Sequence, residues 1–80
     1  MYNVYIIKSS KTNKFYIGHT NNIIIRLLQH NRNKVRSTKN KGPWIIIYTE
    51  KFKSKSEAYL RELQIKSYKG GDAFRKLIKK

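Results

Sequence analysis

The chain has 80 residues, with 19 Lys and Arg against 4 Asp and Glu for a formal charge of +15, and no cysteine. Such a length allows one domain, spanning residues 1–80, with a core near the lower limit of self-sufficiency, and the missing cysteines exclude disulfides and thiolate zinc sites and fit a reducing, cytoplasmic compartment. No apolar run approaches the roughly 20 residues of a membrane span and no basic leader opens the chain, so a soluble, unprocessed protein is expected; the positive charge points to a polyanion, nucleic acid before an anionic membrane.

In chain order, "VYII" and "FYIG" are β-branched and aromatic runs separated by "SSKTN", which predicts a hairpin over residues 2–8 and 14–18 with Tyr5 directly opposite Tyr16. Thr20 or Asn21 is a candidate N-cap for a helix running to about Asn31, with Ile24, Leu27 and Leu28 as its apolar stripe and Arg26 and His30, four apart, on a neighbouring face. The aperiodic segment "NRNKVRSTKNKGP" carries Arg32, Lys34, Arg36, Lys39 and Lys41, a candidate grip on a phosphate backbone. Residues 44–50 read as a third strand. Ser54 and Glu57 form a capping box for a helix over about 55–68, with Tyr59, Leu60 and Leu63 as candidate packing residues. "DAFRKLIKK" offers Phe74, Leu77 and Ile78 at helical spacing, followed by a basic tail.

Acidic residues are scarce, so each can be weighed. Glu57 serves the capping box, Glu50 stands at a strand end and Asp72 is placed to cap the last helix. Glu62, in mid-helix, reads either as a solvated residue paired with Arg61 or Lys66 or as a hard oxygen ligand for a divalent ion that bridges to phosphate. Taken singly, His30, Arg26 and the tyrosines each have an ordinary surface or packing reading as well.

The ordered set is more specific than its members. The chain resembles the GIY-YIG nuclease superfamily, in particular its small stand-alone members: Asn3-Val4-Tyr5 stands where the first motif falls, and Tyr16-Ile17-Gly18 is the second. Arg26 follows Tyr16 by ten residues, His30 follows four later, and Glu62 in "SEAYLRELQIKSY" matches the family's metal-binding glutamate. The resemblance covers nearly the whole chain. It implies an α/β domain with a small three-stranded antiparallel sheet flanked by helices, in the order β-β-α-β-α-α, and cleavage of DNA phosphodiesters with Mg²⁺ or Mn²⁺. Asn3 in place of the motif glycine is tolerable in a strand. Many members also carry an asparagine beyond the glutamate helix, where Asp72 is the nearest candidate here.

On that resemblance, Glu62 is expected to hold one metal ion, Arg26 to neutralise the phosphoryl group, and Tyr5 to take the attacking water's proton, with Tyr16 orienting water or phosphate and the two tyrosines open to exchange of roles. His30 is expected to relay the proton or hydrogen-bond the base. A tyrosine base requires its neighbours to lower its pKa from about 10. Gly18 is expected to provide a tight turn between strand and helix. The alternative is a noncatalytic basic nucleic-acid-binding module on the same fold, or a basic ribonucleoprotein component. So small a chain has little surface for reading bases, so weak specificity, or help from a homodimer or a larger protein partner, is expected.

Overall fold

The computed structural model describes residues 1–79 and has the element order β-β-α-β-α-α, with the three strands in one antiparallel sheet of order β2-β1-β3. β1 (Tyr2–Ser9) is central because its run Val4, Tyr5, Ile6, Ile7 is apolar at successive positions, which suits a strand covered on both faces. β2 (Phe15–Thr20) is one edge and β3 (Trp44–Phe52) the other. The turn between β1 and β2 is closed by Ser9, whose Oγ accepts from the backbone N–H groups of Lys11 and Thr12 and donates to the carbonyl of Lys41.

The hairpin register differs from the expected one. Tyr5 pairs with Gly18, and Tyr16 pairs with Ile7, two residues along. Tyr5 and Tyr16 still share a face, because a shift of two preserves side-chain parity. Gly18 is therefore a buried residue within a strand rather than the expected turn.

One face of the sheet is covered by α1 (Ile23–Asn31), which adds Ile23 and Leu27 to Tyr5, Ile7 and Trp44. The other is covered by α2 (Lys55–Ser67) and α3 (Asp72–Ile78), where Val4 and Ile6 meet Ala58, Ile65 and Phe74. Each large apolar side chain so buried is worth about 1.5–3 kcal/mol. Leu77 and Ile78 pack against this cluster as expected; Lys80 of the basic tail lies outside the described residues.

Both long helices present a different stripe from the expected one. Ile24 and Leu28 are exposed, and the inward residues of α1 are Ile23, Leu27 and His30; in α2, Tyr59, Leu60 and Leu63 are exposed while Ala58, Glu62 and Ile65 are buried. Each inward stripe has the spacing i, i+4, i+7 and includes one polar residue. Hydrophobicity alone selects the wrong side, because His30 and Glu62 are hydrogen-bonded inside and so are cheap to bury. The caps are local: Asn22, one or two residues later than expected, accepts from the Ile25 N–H, and Ser54 accepts from the Glu57 N–H. Among the described residues no helix is long and apolar enough to cross a membrane.

Candidate active site

On the α1 face, parity brings Tyr5 of β1 and Tyr16 of β2 under the inward stripe of α1. Their ring centroids are 6.3 Å apart, and the His30 ring lies edge-on to both, at 5.7 Å from Tyr5 and 4.9 Å from Tyr16. The Tyr5 hydroxyl is 2.8 Å from His30 Nε2, and His30 Nδ1 is 2.7 Å from Thr38 Oγ1, which reaches the Val35 carbonyl at 3.4 Å. A threonine hydroxyl that donates to a carbonyl accepts from Nδ1–H, so Nε2 bears the lone pair and Tyr5 donates to it.

Arg26, one turn before His30, is braced by Gln29 Oε1 at 3.0 Å, and its positive charge acts on the Tyr5 hydroxyl. Burial nevertheless dominates at Tyr5: it pushes the phenol up to about 12, against the lowering contributed by Arg26. This reverses the expectation of a lowered tyrosine. Burial, followed by the Arg26 charge, brings His30 down to about 4, so its imidazole is neutral at pH 7. A neutral imidazole accepting from a neutral phenol is the consistent state of the pair.

Glu62 approaches from the other face. Its Oε1 accepts from His19 Nδ1 and its Oε2 from Lys66 Nζ, both at 2.6 Å, with the carboxylate largely buried. His19 follows Gly18 in β2 and by parity points to the α2 side, whereas Tyr16 and Gly18 belong to the α1 side. The two halves meet at the edge strand. Glu62 contributes to the field at the Tyr5 hydroxyl, and a cleft of about 530 Å³ beside them is lined by Arg26 of α1, His19 and Lys55, with Tyr5, Tyr16, His30 and Glu62 outside its lining.

Gly18 makes this meeting possible. A Cβ added there would stand 2.7 Å from the Tyr5 hydroxyl oxygen and 3.1 Å from Tyr16 Cε1, so the missing side chain is the space both rings use.

Among the described residues no group of three or more His, Cys, Asp or Glu is placed to hold a metal. Glu62 is the one carboxylate here, and both its oxygens are occupied by His19 and Lys66, so Mg²⁺ or Mn²⁺, which take one or two carboxylates and complete their shell with water and phosphate, would have to displace one of these nitrogens.

The basic side chains of the expected segment do not enter this site. Arg32, Lys34, Arg36, Lys39 and Lys41 are all exposed, on a loop pinned from within by buried Val35 and Thr38, by Trp44 Nε1 donating to the Thr38 carbonyl, and by Asn31 bonding both backbone groups of Trp44. Asp72 does not cap α3 with its side chain; it is the helix's first residue, exposed and paired with Arg75 at 2.5 Å. Two site residues are not evident from the sequence. His19 is signalled only by strand parity, and Thr38 only by being an uncharged residue within a basic loop.

Comparison with known proteins gives this geometry its family. The model of the GIY-YIG catalytic domain matches residues 1–72. The chain is 44% identical over 66 residues to UPF0213 protein SH2523 of Staphylococcus haemolyticus, covering 81% of this chain and 79% of that one. It is 39% identical over 64 residues to UPF0213 protein OB0043 of Oceanobacillus iheyensis, covering 79% and 73%. The solution NMR structure of UPF0213 protein BH0048 of Bacillus halodurans is similar over 91% of this chain and 90% of that one, with 29% identity and a TM-score of 0.49. With Tyr5, Tyr16, Gly18, Arg26, His30 and Glu62 gathered around one strand edge, and the family model matching nearly the whole chain, this protein belongs to the GIY-YIG catalytic domain family.

Proposed function

We propose that this protein is a divalent-metal-dependent endonuclease that hydrolyses DNA phosphodiester bonds at the β2 edge. The observation that carries the reading is the buried relay on the α1 face, in which the Tyr5 hydroxyl lies 2.8 Å from His30 Nε2 and His30 Nδ1 lies 2.7 Å from Thr38 Oγ1, with Arg26 on the adjoining cleft wall.

Arg26 receives the phosphoryl group, the only one of these side chains with a fixed positive fork at the cleft wall. Glu62 would hold Mg²⁺ or Mn²⁺, which would supply positive charge to offset the negative charge that develops on the phosphodiester. The Tyr5 oxygen takes a proton from the attacking water while its own proton passes to His30 Nε2. The water oxygen bonds to phosphorus, the bond to the 3′ oxygen breaks, and solvent protonates that oxygen. Thr38, accepting from Nδ1–H, holds His30 in the tautomer whose Nε2 is free to take the Tyr5 proton.

The resting pKa values oppose this transfer, since a phenol near 12 donates poorly to an imidazole near 4. Phosphate paired with Arg26 would cancel the charge that helps depress His30 and equally the charge that lowers Tyr5, while burial, the larger cause at both groups, persists. Tyr16, beside the His30 ring, is placed to orient water or phosphate. Nineteen Lys and Arg provide the attraction for the polyanion.

The test is Glu62→Gln. It keeps the shape and removes the carboxylate charge; metal-dependent cleavage of labelled DNA is expected to fall by several orders of magnitude, with DNA affinity kept or slightly raised. Near-normal turnover by this variant, or wild-type cleavage undiminished by EDTA, overturns the metal assignment.

A further inference from the structure

Phe15, at the start of the edge strand β2, is 42% exposed, although its ring packs edge-on against the buried ring of Phe74 at a centroid distance of 5.1 Å. It is thus held in place from below while one side faces solvent. Around it is a second recess of about 490 Å³, with Ile17 and Ile65 in its floor and Lys14, Lys66 and Lys69 on its rim. The Lys8 ammonium lies 5.7 Å from the Phe15 centroid. No carboxylate lines the recess among the described residues.

We propose that this recess is a stacking subsite for one unpaired nucleobase of the DNA strand being cut, with the surrounding lysines contacting its flanking phosphates. The inference rests on the nuclease reading above and adds a substrate class to it: single-stranded DNA, or a strand unpaired next to the scissile bond. An apolar floor without charge suits many ligands, and a lysine rim without an aromatic suits duplex and single strand alike. The combination selects, because a flat ring gains from a base only when the base's π-face is free, and a duplex buries those faces in its own stack.

One side chain connects the recess to the active site. Lys66, on its rim, bonds Glu62 Oε2 at 2.6 Å. Phe15, Ile17 and His19 alternate onto the same face of β2, and the four steps from Phe15 to His19 span roughly 13 Å at strand spacing. A strand laid along this edge reaches Phe15 within a few nucleotides of Glu62. Lys66 links the two: it neutralises Glu62 in the resting protein and is free to turn to a phosphate when a metal ion takes the carboxylate.

The test separates binding from cleavage. Fluorescence anisotropy in EDTA measures the whole chain with a labelled eight-thymidine strand and with a labelled eight-base-pair hairpin. Phe15→Ala is expected to weaken single-strand binding by about fivefold to about a hundredfold, the range for losing one base–aromatic stack, and to change hairpin binding by less than about twofold. Phe15→Trp is expected to keep or raise single-strand affinity. Should Phe15→Ala fail to fold, Phe15→Leu, which keeps apolar volume and removes the ring, is expected to show the same selective loss. Equal losses on both probes, or none, overturn the subsite and leave Phe15 as a partner for Phe74 alone. Selective loss in a protein that cleaves nothing with metal keeps the subsite and removes the nuclease reading; normal cleavage without selective loss does the reverse.

Discussion

The Tyr5 ring lies across Gly18 so closely that a Cβ on Gly18 would stand 2.7 Å from its hydroxyl oxygen and 2.8 Å from its Cζ. Neither atom belongs to a flexible tip, because the hydroxyl is tied to His30 and the ring is buried. Gly18→Ala must therefore displace Tyr5. It is expected to cost about 1–3 kcal/mol in urea denaturation, the range for overpacking, and to slow cleavage at least about tenfold through the broken Tyr5–His30 bond. A folded variant with wild-type activity would show that the placement of Tyr5 over Gly18 is immaterial.

Tyr5→Phe and Tyr16→Phe divide the proton-handling role. Each leaves the ring and removes one hydroxyl, for about 1 kcal/mol of stability where the hydroxyl is bonded. Tyr5→Phe is expected to lose most of the single-turnover rate at saturating DNA, with binding intact. Tyr16→Phe is expected to lose less, since the chain to His30 starts at Tyr5. Loss at Tyr16 alone would transfer the base role there, and a change below about tenfold in both would make the pair structural.

His30 links stability to pH. Its folded pKa of about 4 lies below the ordinary 6.5, so between these values the unfolded chain binds a proton that the folded chain refuses. The contribution is fully present above pH 6.5 and is lost as pH falls to about 4. Its size is about 3 kcal/mol for a shift of this order. Urea midpoints of the wild type and His30→Gln, compared from about pH 7 to about pH 4, are expected to converge as pH falls. Parallel pH dependence in the two proteins would refute the buried neutral imidazole.

The exposed loop cations are expected to act on affinity without touching chemistry. Replacing Arg36, Lys39 and Lys41 with Ser leaves the buried anchors Val35 and Thr38 in place. Binding to any sequence is expected to weaken about equally, and the slope of log affinity against log salt to flatten by about one for each phosphate no longer neutralised. An unchanged slope would place the DNA elsewhere on the surface.

Local chemistry alone determined much of this protein. Runs of β-branched and aromatic residues specify the strands, Ser54 with Glu57 specifies the start of α2, and the order Tyr5, Tyr16-Ile17-Gly18, Arg26, His30, Glu62 carries the family resemblance, because propensities, caps and motif spacing are properties of neighbouring residues. What lies across a gap is not. Which side of α1 and α2 turns inward was decided by partners distant in sequence: Tyr5 for His30, and His19 for Glu62. The same holds for the register that sets Tyr5 over Gly18 rather than opposite Tyr16. It holds also for the Tyr5 hydroxyl, whose pKa rises despite the nearby Arg26, because desolvation by the assembled core outweighs one favourable charge.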